Sequence, residues 1–189
     1  MVKALLTVHK LACPYIRLTV LSPLTFSLKK GEVLYVIGSN GSGKSTLLSL
    51  VAGVFPLGRD DIKSAPSFYC GHETGLKASL TVQENLYFRC EIFGNFLKGN
   101  VDKTLEILGL EALKARRVGT LSQGQKQQVA MASAILSKKP LWILDEPFVN
   151  LDSMAKTSLQ KAIDDHLEKG GAALIATHGP VSGKVLTLD

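Results

Sequence analysis

A glycine-rich segment at residues 38–45 constrains the possible folds of this chain more than any other part of its sequence. It reads Gly-Ser-Asn-Gly-Ser-Gly-Lys-Ser, follows the apolar run Val33–Ile37 and leads into the helical pattern of Ser45–Ala52. Glycine lets the backbone approach a bound group closely, and the free N–H groups at a helix N-terminus attract anions. The pattern G-x-x-x-x-G-K-[ST] between a strand and a helix therefore predicts a phosphate-binding loop. An ordinary glycine-rich turn is the alternative.

The residues of this loop have distinct expected roles. Lys44 would place a positive charge at the β and γ phosphates of ATP, which makes it a predicted catalytic residue, and Ser45 would offer a hydroxyl to Mg²⁺. The predicted ATP-binding residues of the loop are Gly38, Ser39, Asn40, Gly41, Ser42, Gly43, Lys44, Ser45 and Thr46.

Two adjacent carboxylates, Asp145 and Glu146, follow a second apolar run at Leu141–Leu144. A phosphate loop needs a further carboxylate on the metal side, at the end of a buried strand where water does not weaken its field. We predict that Asp145 holds Mg²⁺ through a water molecule and that Glu146 polarises the attacking water. Such a pair could simply end a strand, but its occurrence together with a phosphate loop favours the catalytic interpretation.

The order of apolar and helical segments predicts an α/β fold. Strands that are apolar on both faces and separated by helices indicate a parallel sheet covered on both sides. We expect a single domain over residues 1–189, with a helical lobe at about residues 73–121 and a turn-rich polar segment at residues 55–66. The expected strands are 4–8, 24–28, 33–37, 67–70, 141–144 and 172–177, and the expected helices are 45–52, 81–93, 101–108, 110–116, 122–136 and 153–168.

Composition argues against several other classes of protein. The chain has 189 residues and 46% hydrophobic content, enough for one well-filled core, but its apolar runs fall far short of the roughly 20 residues that cross a bilayer. Nothing at the N-terminus resembles a secretion signal. Cys13, Cys70 and Cys90 are odd in number and widely spaced, which argues against a disulfide framework or a zinc site. The net charge of +6 is spread along the chain without aromatic interleaving, so no nucleic acid is expected as a partner.

A third motif, Leu121-Ser-Gln-Gly-Gln125, lies between the phosphate loop and the two carboxylates. Ser122 and Gln125 can form a capping box, so a helix with free N–H groups would begin here, although a plain capped helix is the simpler alternative. With this motif the sequence resembles the ABC ATPase family. The resemblance implies a P-loop NTPase (RecA-like) parallel-sheet core with a reduced antiparallel β lobe and an α-helical lobe. It also implies a head-to-tail homodimer around two ATP, in which Ser122, Gly124 and Gln125 bind the ATP held by the other subunit.

Other positions of that family can be assigned by spacing. Tyr15 lies where an aromatic ring stacks on adenine, although a tyrosine near a turn is often a surface anchor. His178 resembles the catalytic switch histidine that contacts the γ-phosphate. Asn150-Leu-Asp152 resembles the segment that contacts the second subunit, and Asp152 would also cap the next helix.

His72 is a departure from the family pattern, because a glutamine usually stands there. It is expected to contribute to the ATP site and to its coupling with the transporter, in a manner that depends on pH, or else only to pack under the helical lobe. Together with Gly71 and the short segment 53–67, it resembles one subgroup, the ATP-binding subunits of the cytochrome c maturation (Ccm-type) haem exporters. That resemblance also rests on Leu76-Lys77, Leu80-Thr81, Glu84-Asn85-Leu86 and the stretch from Gly170-Gly171 to Thr177-His178.

The subgroup implies partners and a location. Membrane-embedded subunits of the cytochrome c maturation complex are the expected partners, and the cytoplasmic face of the inner membrane is the expected peripheral location. Three alternatives stay open: an assembly ATPase similar to the iron-sulfur assembly scaffold, the ATPase of another small exporter, and a module that binds nucleotide without hydrolysing it.

Overall fold

The computed structural model describes residues 4–11, 23–54, 61–71, 73–94, 98–179 and 181–188. The chain forms two compact units. The first comprises residues 1–72, 139–146 and 166–189, and the second comprises residues 73–138 and 147–165.

The first unit contains a five-stranded parallel sheet. Its strands, in spatial order, are β5 (Ser67–Cys70), β6 (Leu141–Asp145), β7 (Ala172–Ala176), β3 (Val33–Gly38) and β8 (Lys184–Leu188). Every residue of β6 and β7 is buried, as expected for strands covered on both faces. The carboxyl ends of β3, β6 and β7 therefore meet at one edge of the sheet.

A three-stranded antiparallel sheet completes the first unit. Its order is β2 (Leu24–Lys29), β1 (Ala4–Leu11) and β4 (Ile62–Ser64). The helix α1 (Lys44–Val51) follows β3, and its apolar residues Leu47, Leu48 and Val51 share one core with side chains of both sheets.

The second unit is built from helices. They are α2 (Val82–Ile92), α3 (Lys98–Ile107), α4 (Gln123–Ser137) and α5 (Ser153–Glu168), whose last turn belongs to the first unit. Thr81 begins α2 with a capping box in which its hydroxyl accepts from the N–H of Glu84 and the Glu84 carboxylate accepts from the N–H of Thr81. A separate apolar core, which includes Leu86, Leu105 and Val129, holds these helices together.

The predicted fold class is confirmed, with three local differences. Residues 110–116 form only the 3₁₀ turns around Glu111–Leu113 instead of a helix, because too few residues separate Gly109 from the following turn for helix propagation. Two strands, Ile62–Ser64 and Lys184–Leu188, were not expected. Both are largely exposed, so neither carries the apolar run that marks a buried strand. The single domain with a helical lobe at about residues 73–121 stays a prediction.

None of the helices in the described ranges is both long enough and apolar enough to cross a membrane.

Candidate nucleotide-binding site

The phosphate loop connects β3 to α1, as the sequence predicts. Gly43 precedes the helix with a φ of 96°, a left-handed conformation that glycine adopts without strain. At Gly38 a Cβ would lie 2.1 Å from the carbonyl oxygen of Leu188 and 2.5 Å from Ser42 Oγ. The edge strand β8 thus allows no side chain at residue 38.

Lys44 is held inside this loop. Its side chain is 6% exposed, and its ammonium donates hydrogen bonds to the carbonyl oxygens of Gly38 at 2.9 Å and Ser39 at 3.0 Å. The loop backbone therefore keeps a full positive charge beside its own free N–H groups, which favours a bound polyphosphate.

Asp145 ends the buried strand β6 at the same edge of the sheet. The residue is 5% exposed, and its Oδ1 atom is buried without a hydrogen-bond partner. Buried carboxylates are ordinarily paired or bound to a metal. Asp145 therefore has the free acceptor atom that a metal ligand needs.

Glu146 follows Asp145 in a backbone conformation that is unusual for its residue type. Its φ is 49°, and its N–H donates to the carbonyl oxygen of Ala176, 3.0 Å away on β7. Left-handed backbone outside glycine is strained, and such strain often occurs at functional sites. The sharp turn gives the Glu146 side chain a direction different from that of Asp145.

The Glu146 carboxylate faces His178. His178 Nε2 lies 3.2 Å from Glu146 Oε1, with side-chain exposures of 45% and 23% respectively. Burial raises the pKa of Glu146 above its ordinary value, Asp145 adds to the increase, and the charges of His178 and Lys44 oppose it. A carboxylate of increased basicity beside an imidazole can accept a proton from water.

Thr177 is a residue of this site that the sequence analysis did not single out. It is 6% exposed, and its hydroxyl accepts a hydrogen bond from the N–H of Gly179 at 3.1 Å. This contact closes a tight turn around His178. A threonine two residues before a glycine at a strand end is a local signal for such a turn and could have been recognised.

The oxygens of the first unit suit ATP with Mg²⁺. Ser42 Oγ and Asp145 Oδ1 are buried and make no hydrogen bond within the described residues. A bound group that supplies donors or a cation would satisfy them. Ser45, exposed in the first turn of α1, adds a hydroxyl of the kind that Mg²⁺ accepts.

The motif at residues 121–125 lies in the second unit. Ser122 Oγ accepts from the N–H of Gln125 at 3.2 Å, and Gln125 Oε1 accepts from the N–H of Ser122 at 3.1 Å. This is the predicted capping box, and it begins α4. Asp152 caps α5 as expected, because its Oδ1 accepts from the N–H of Ala155 at 2.8 Å.

Gly124 packs against a turn at Asn150. A Cβ at residue 124 would lie 2.2 Å from the carbonyl oxygen of Asn150, whose φ is 62°. This glycine therefore has a packing role within the second unit, which the motif alone did not indicate.

Two predicted site residues, Tyr15 and His72, lie outside the described residues. Their assignments stay predictions.

Comparisons with known proteins place the chain among related sequences. A family profile described as "ABC transporter" matches residues 21–149. The chain is 41% identical to the cytochrome c biogenesis ATP-binding export protein CcmA of Xanthomonas axonopodis pv. citri, over 98% of this chain and 94% of that protein. It is 42% identical to the protein of the same name from Paracoccus denitrificans, over 92% and 82%.

Solved structures show the same fold. An ABC transporter ATP-binding protein from Pyrococcus furiosus superposes with a TM-score of 0.81 at 26% identity, covering 97% of this chain and 96% of that one. The ATP-binding subunit of another ABC transporter gives a TM-score of 0.78 at 27% identity, covering 92% and 79%.

Proposed function

This chain belongs to the ABC transporter family, and from that premise we propose that it powers the export step of cytochrome c biogenesis. The family membership makes it the ATP-binding and ATP-hydrolysing subunit of a transporter. The observation that carries the finer proposal is the 41% identity to a cytochrome c biogenesis export protein over 98% of the chain.

The residues of the first unit would divide the chemistry among them. The N–H groups of the phosphate loop that make no internal hydrogen bond, together with the Lys44 ammonium, would bind the phosphates of ATP. Mg²⁺, held by the Ser45 hydroxyl and the free Asp145 carboxylate oxygen, would neutralise part of the phosphate charge. The burial of that oxygen without a partner supports this assignment.

Glu146 would act as the general base. Its Oε1 atom accepts a proton from the attacking water, and the raised pKa of Glu146 supports this role. His178, 3.2 Å away, orients that carboxylate and the water against the terminal phosphate. Holding the reacting water close to the phosphate and in the right orientation is a large part of how an ATPase accelerates hydrolysis.

A second copy of the chain would complete each ATP site. In this arrangement Ser122, Gly124 and Gln125 of one copy bind the terminal phosphate of the ATP held by the other copy. The capping box at the start of the 15-residue helix α4 supports it, because it holds the first turn in place with N–H groups available to an anion. ATP binding joins the two copies, and hydrolysis separates them.

Membrane-embedded subunits would use this cycle for transport of haem or a haem-linked species. We place the chain peripherally on the cytoplasmic face of the cell membrane, with the region around His72 as its contact to those subunits. Tyr15 would stack on the adenine ring.

Two variants test the chemistry in the purified chain. Glu146→Gln retains ATP binding, accumulates as an ATP-bound dimer in light scattering, and loses about 10²- to 10⁴-fold in phosphate release because the general base is absent. Lys44→Ala loses nucleotide affinity in a fluorescent-ATP titration. Unchanged turnover in the first variant or unchanged affinity in the second contradicts the assignment.

Co-purification tests the biological role. A tagged chain extracted with detergent from its own cells should bring down membrane proteins that occur with cytochrome c assembly components. Recovery of only soluble iron-sulfur assembly proteins would instead support the scaffold alternative.

A further inference from the structure

The tyrosine at residue 69 links two elements on which the phosphate loop depends. Tyr69 lies on β5 and is half-buried, and its hydroxyl oxygen lies 2.9 Å from Ser49 Oγ on α1. Residues 49 and 69 are far apart in sequence, so this contact exists only because α1 packs against the central sheet. It connects the helix that begins with Lys44 to the central sheet.

The direction of the hydrogen bonds follows from the number of protons. Ser49 has one hydroxyl proton, which it donates to the carbonyl oxygen of Ser45 at 2.8 Å. Tyr69 must then be the donor to Ser49 Oγ. The resulting chain runs from the Tyr69 hydroxyl through Ser49 to the backbone of Ser45. Ser45 is the residue whose side chain we assign to Mg²⁺.

The ring of Tyr69 is also restrained at Gly71. A Cβ at residue 71 would lie 2.6 Å from the Tyr69 hydroxyl oxygen, 3.0 Å from Cζ and 3.2 Å from Cε1. The Tyr69 ring therefore occupies the space that a side chain at residue 71 would need. Any side chain at residue 71 would displace the ring from Ser49.

The hydroxyl remains a donor at physiological pH. Burial raises the pKa of Tyr69 above its ordinary value of 10.0, and the negative charge of Asp145 raises it further.

We propose that Tyr69 is a positioning residue for the phosphate loop, acting through Ser49 on the first turn of α1. Through Ser49, its hydroxyl fixes the Ser45 carbonyl, and with it the Lys44 and Ser45 side chains, in register with the carboxyl edge of the sheet. The proposal rests on the proposed function of Lys44 and Ser45 in ATP and Mg²⁺ binding. Tyr69 itself would contact neither ATP nor Mg²⁺.

Tyr69→Phe removes the hydroxyl and retains the ring. A single lost hydrogen bond predicts a two- to tenfold rise in the Mg²⁺ concentration that half-saturates ATP hydrolysis. The same rise is expected in the Mg²⁺ concentration needed to bind a fluorescent ADP analogue, which requires no turnover. Ser49→Ala should give the same change, and the double variant should be no worse than either single one, because all three break one chain of contacts.

Two further variants separate positioning from general stability. Tyr87→Phe is the matched control, because it removes a half-buried tyrosine hydroxyl that accepts a 2.7 Å hydrogen bond from Gln83 Nε2 in the second unit. It should leave the Mg²⁺ response unchanged. Ser49→Thr retains a hydroxyl able to bond the carbonyl four residues earlier and should restore most of the native response.

The outcomes are distinct. A rise in the Mg²⁺ requirement with Tyr69→Phe and Ser49→Ala, absent with Tyr87→Phe, supports the proposal. A lowered Tm with an unchanged Mg²⁺ response in ADP binding overturns it and leaves Tyr69 a structural residue. If the native chain binds nucleotide but has no turnover, the proposed function fails, while the binding titration still decides the role of Tyr69.

Discussion

Substitution of Gly124 by alanine tests whether the motif at residues 121–125 depends on packing as well as on ligand contact. In the second unit, a Cβ at residue 124 would lie 2.2 Å from the carbonyl oxygen of Asn150, whereas ordinary van der Waals contact begins at 3.4 Å. Either α4 or the turn at Asn150 must therefore move by about the difference, 3.4 − 2.2 = 1.2 Å. The obstructing atom belongs to the backbone, so no side-chain rotation relieves the clash.

The expected loss of stability follows from two opposing effects. Overpacking of this kind costs typically about 1–3 kcal/mol, and a backbone obstacle places Gly124→Ala in the upper half of that range. Alanine also favours the helix by about 0.5–1 kcal/mol relative to glycine. The net loss is about 1–2.5 kcal/mol, which for a chain of this size corresponds to a fall in Tm of about 2–10 °C.

Differential scanning fluorimetry without nucleotide measures this loss directly. Gln123→Ala, at an exposed neighbouring position in the same helical turn, is the control and should change Tm by less than about 2 °C. An unchanged or increased Tm in Gly124→Ala would refute the packing argument and leave ligand contact as the only reason for this glycine. A lowered Tm together with lost dimerisation would show that both roles coexist.

Three further predictions concern stability. Burial raises the pKa of Glu146 above its ordinary value of 4.5, so the folded protein loses stability as pH rises through the folded-state pKa and this carboxyl becomes charged. Glu146→Gln should therefore raise Tm at pH 7–8, and this gain in Tm should shrink as pH falls toward 4.5. A gain that stays constant across the pH series would contradict the raised pKa. The Asn85 side chain, 2% exposed, accepts from the N–H of Lys77 at 2.8 Å and donates to its carbonyl oxygen at 3.0 Å. Asn85→Ala should therefore lower the free energy of unfolding in urea by about 2–4 kcal/mol. A loss below about 1 kcal/mol would show that these two hydrogen bonds are dispensable. A Cβ at Gly171 would lie 2.2 Å from Nε2 of His166, whose ring stacks on Trp142 at 3.9 Å. Gly171→Ala should therefore lower the free energy of unfolding by about 1–3 kcal/mol in the native chain, and by less in a chain that already carries His166→Ala. Equal losses in the two backgrounds would exclude this contact as the cause.

The central sheet and the residues at its carboxyl edge were largely predictable. The run Leu141–Leu144 is apolar throughout and ends in Asp145, so both the buried strand and the position of its carboxylate followed from contiguous residues. The capping boxes at Thr81 and Ser122 were equally local, because each involves residues three apart. Short-range patterns of this kind need no knowledge of the rest of the fold.

Elements that depend on distant neighbours were not predictable. The edge strand β8 has mostly exposed residues, and its strand conformation comes from pairing with β3 rather than from an apolar pattern of its own. The 3₁₀ turns at Glu111–Leu113 were missed for a local reason, because the segment after Gly109 is too short for a helix although its composition suited one.

Contiguous residues were enough to predict which side chains could bind phosphates, hold a metal ion and accept a proton, since these properties depend on side-chain type and on spacing within one loop or strand end. The distant contacts around these side chains became visible only once the elements were packed together. The contact between Tyr69 and Ser49 and the close approach of Asn150 to Gly124 join residues at least 20 positions apart. Such contacts arise when packed elements exclude water from between them, and no local pattern in the chain records which atoms will then meet.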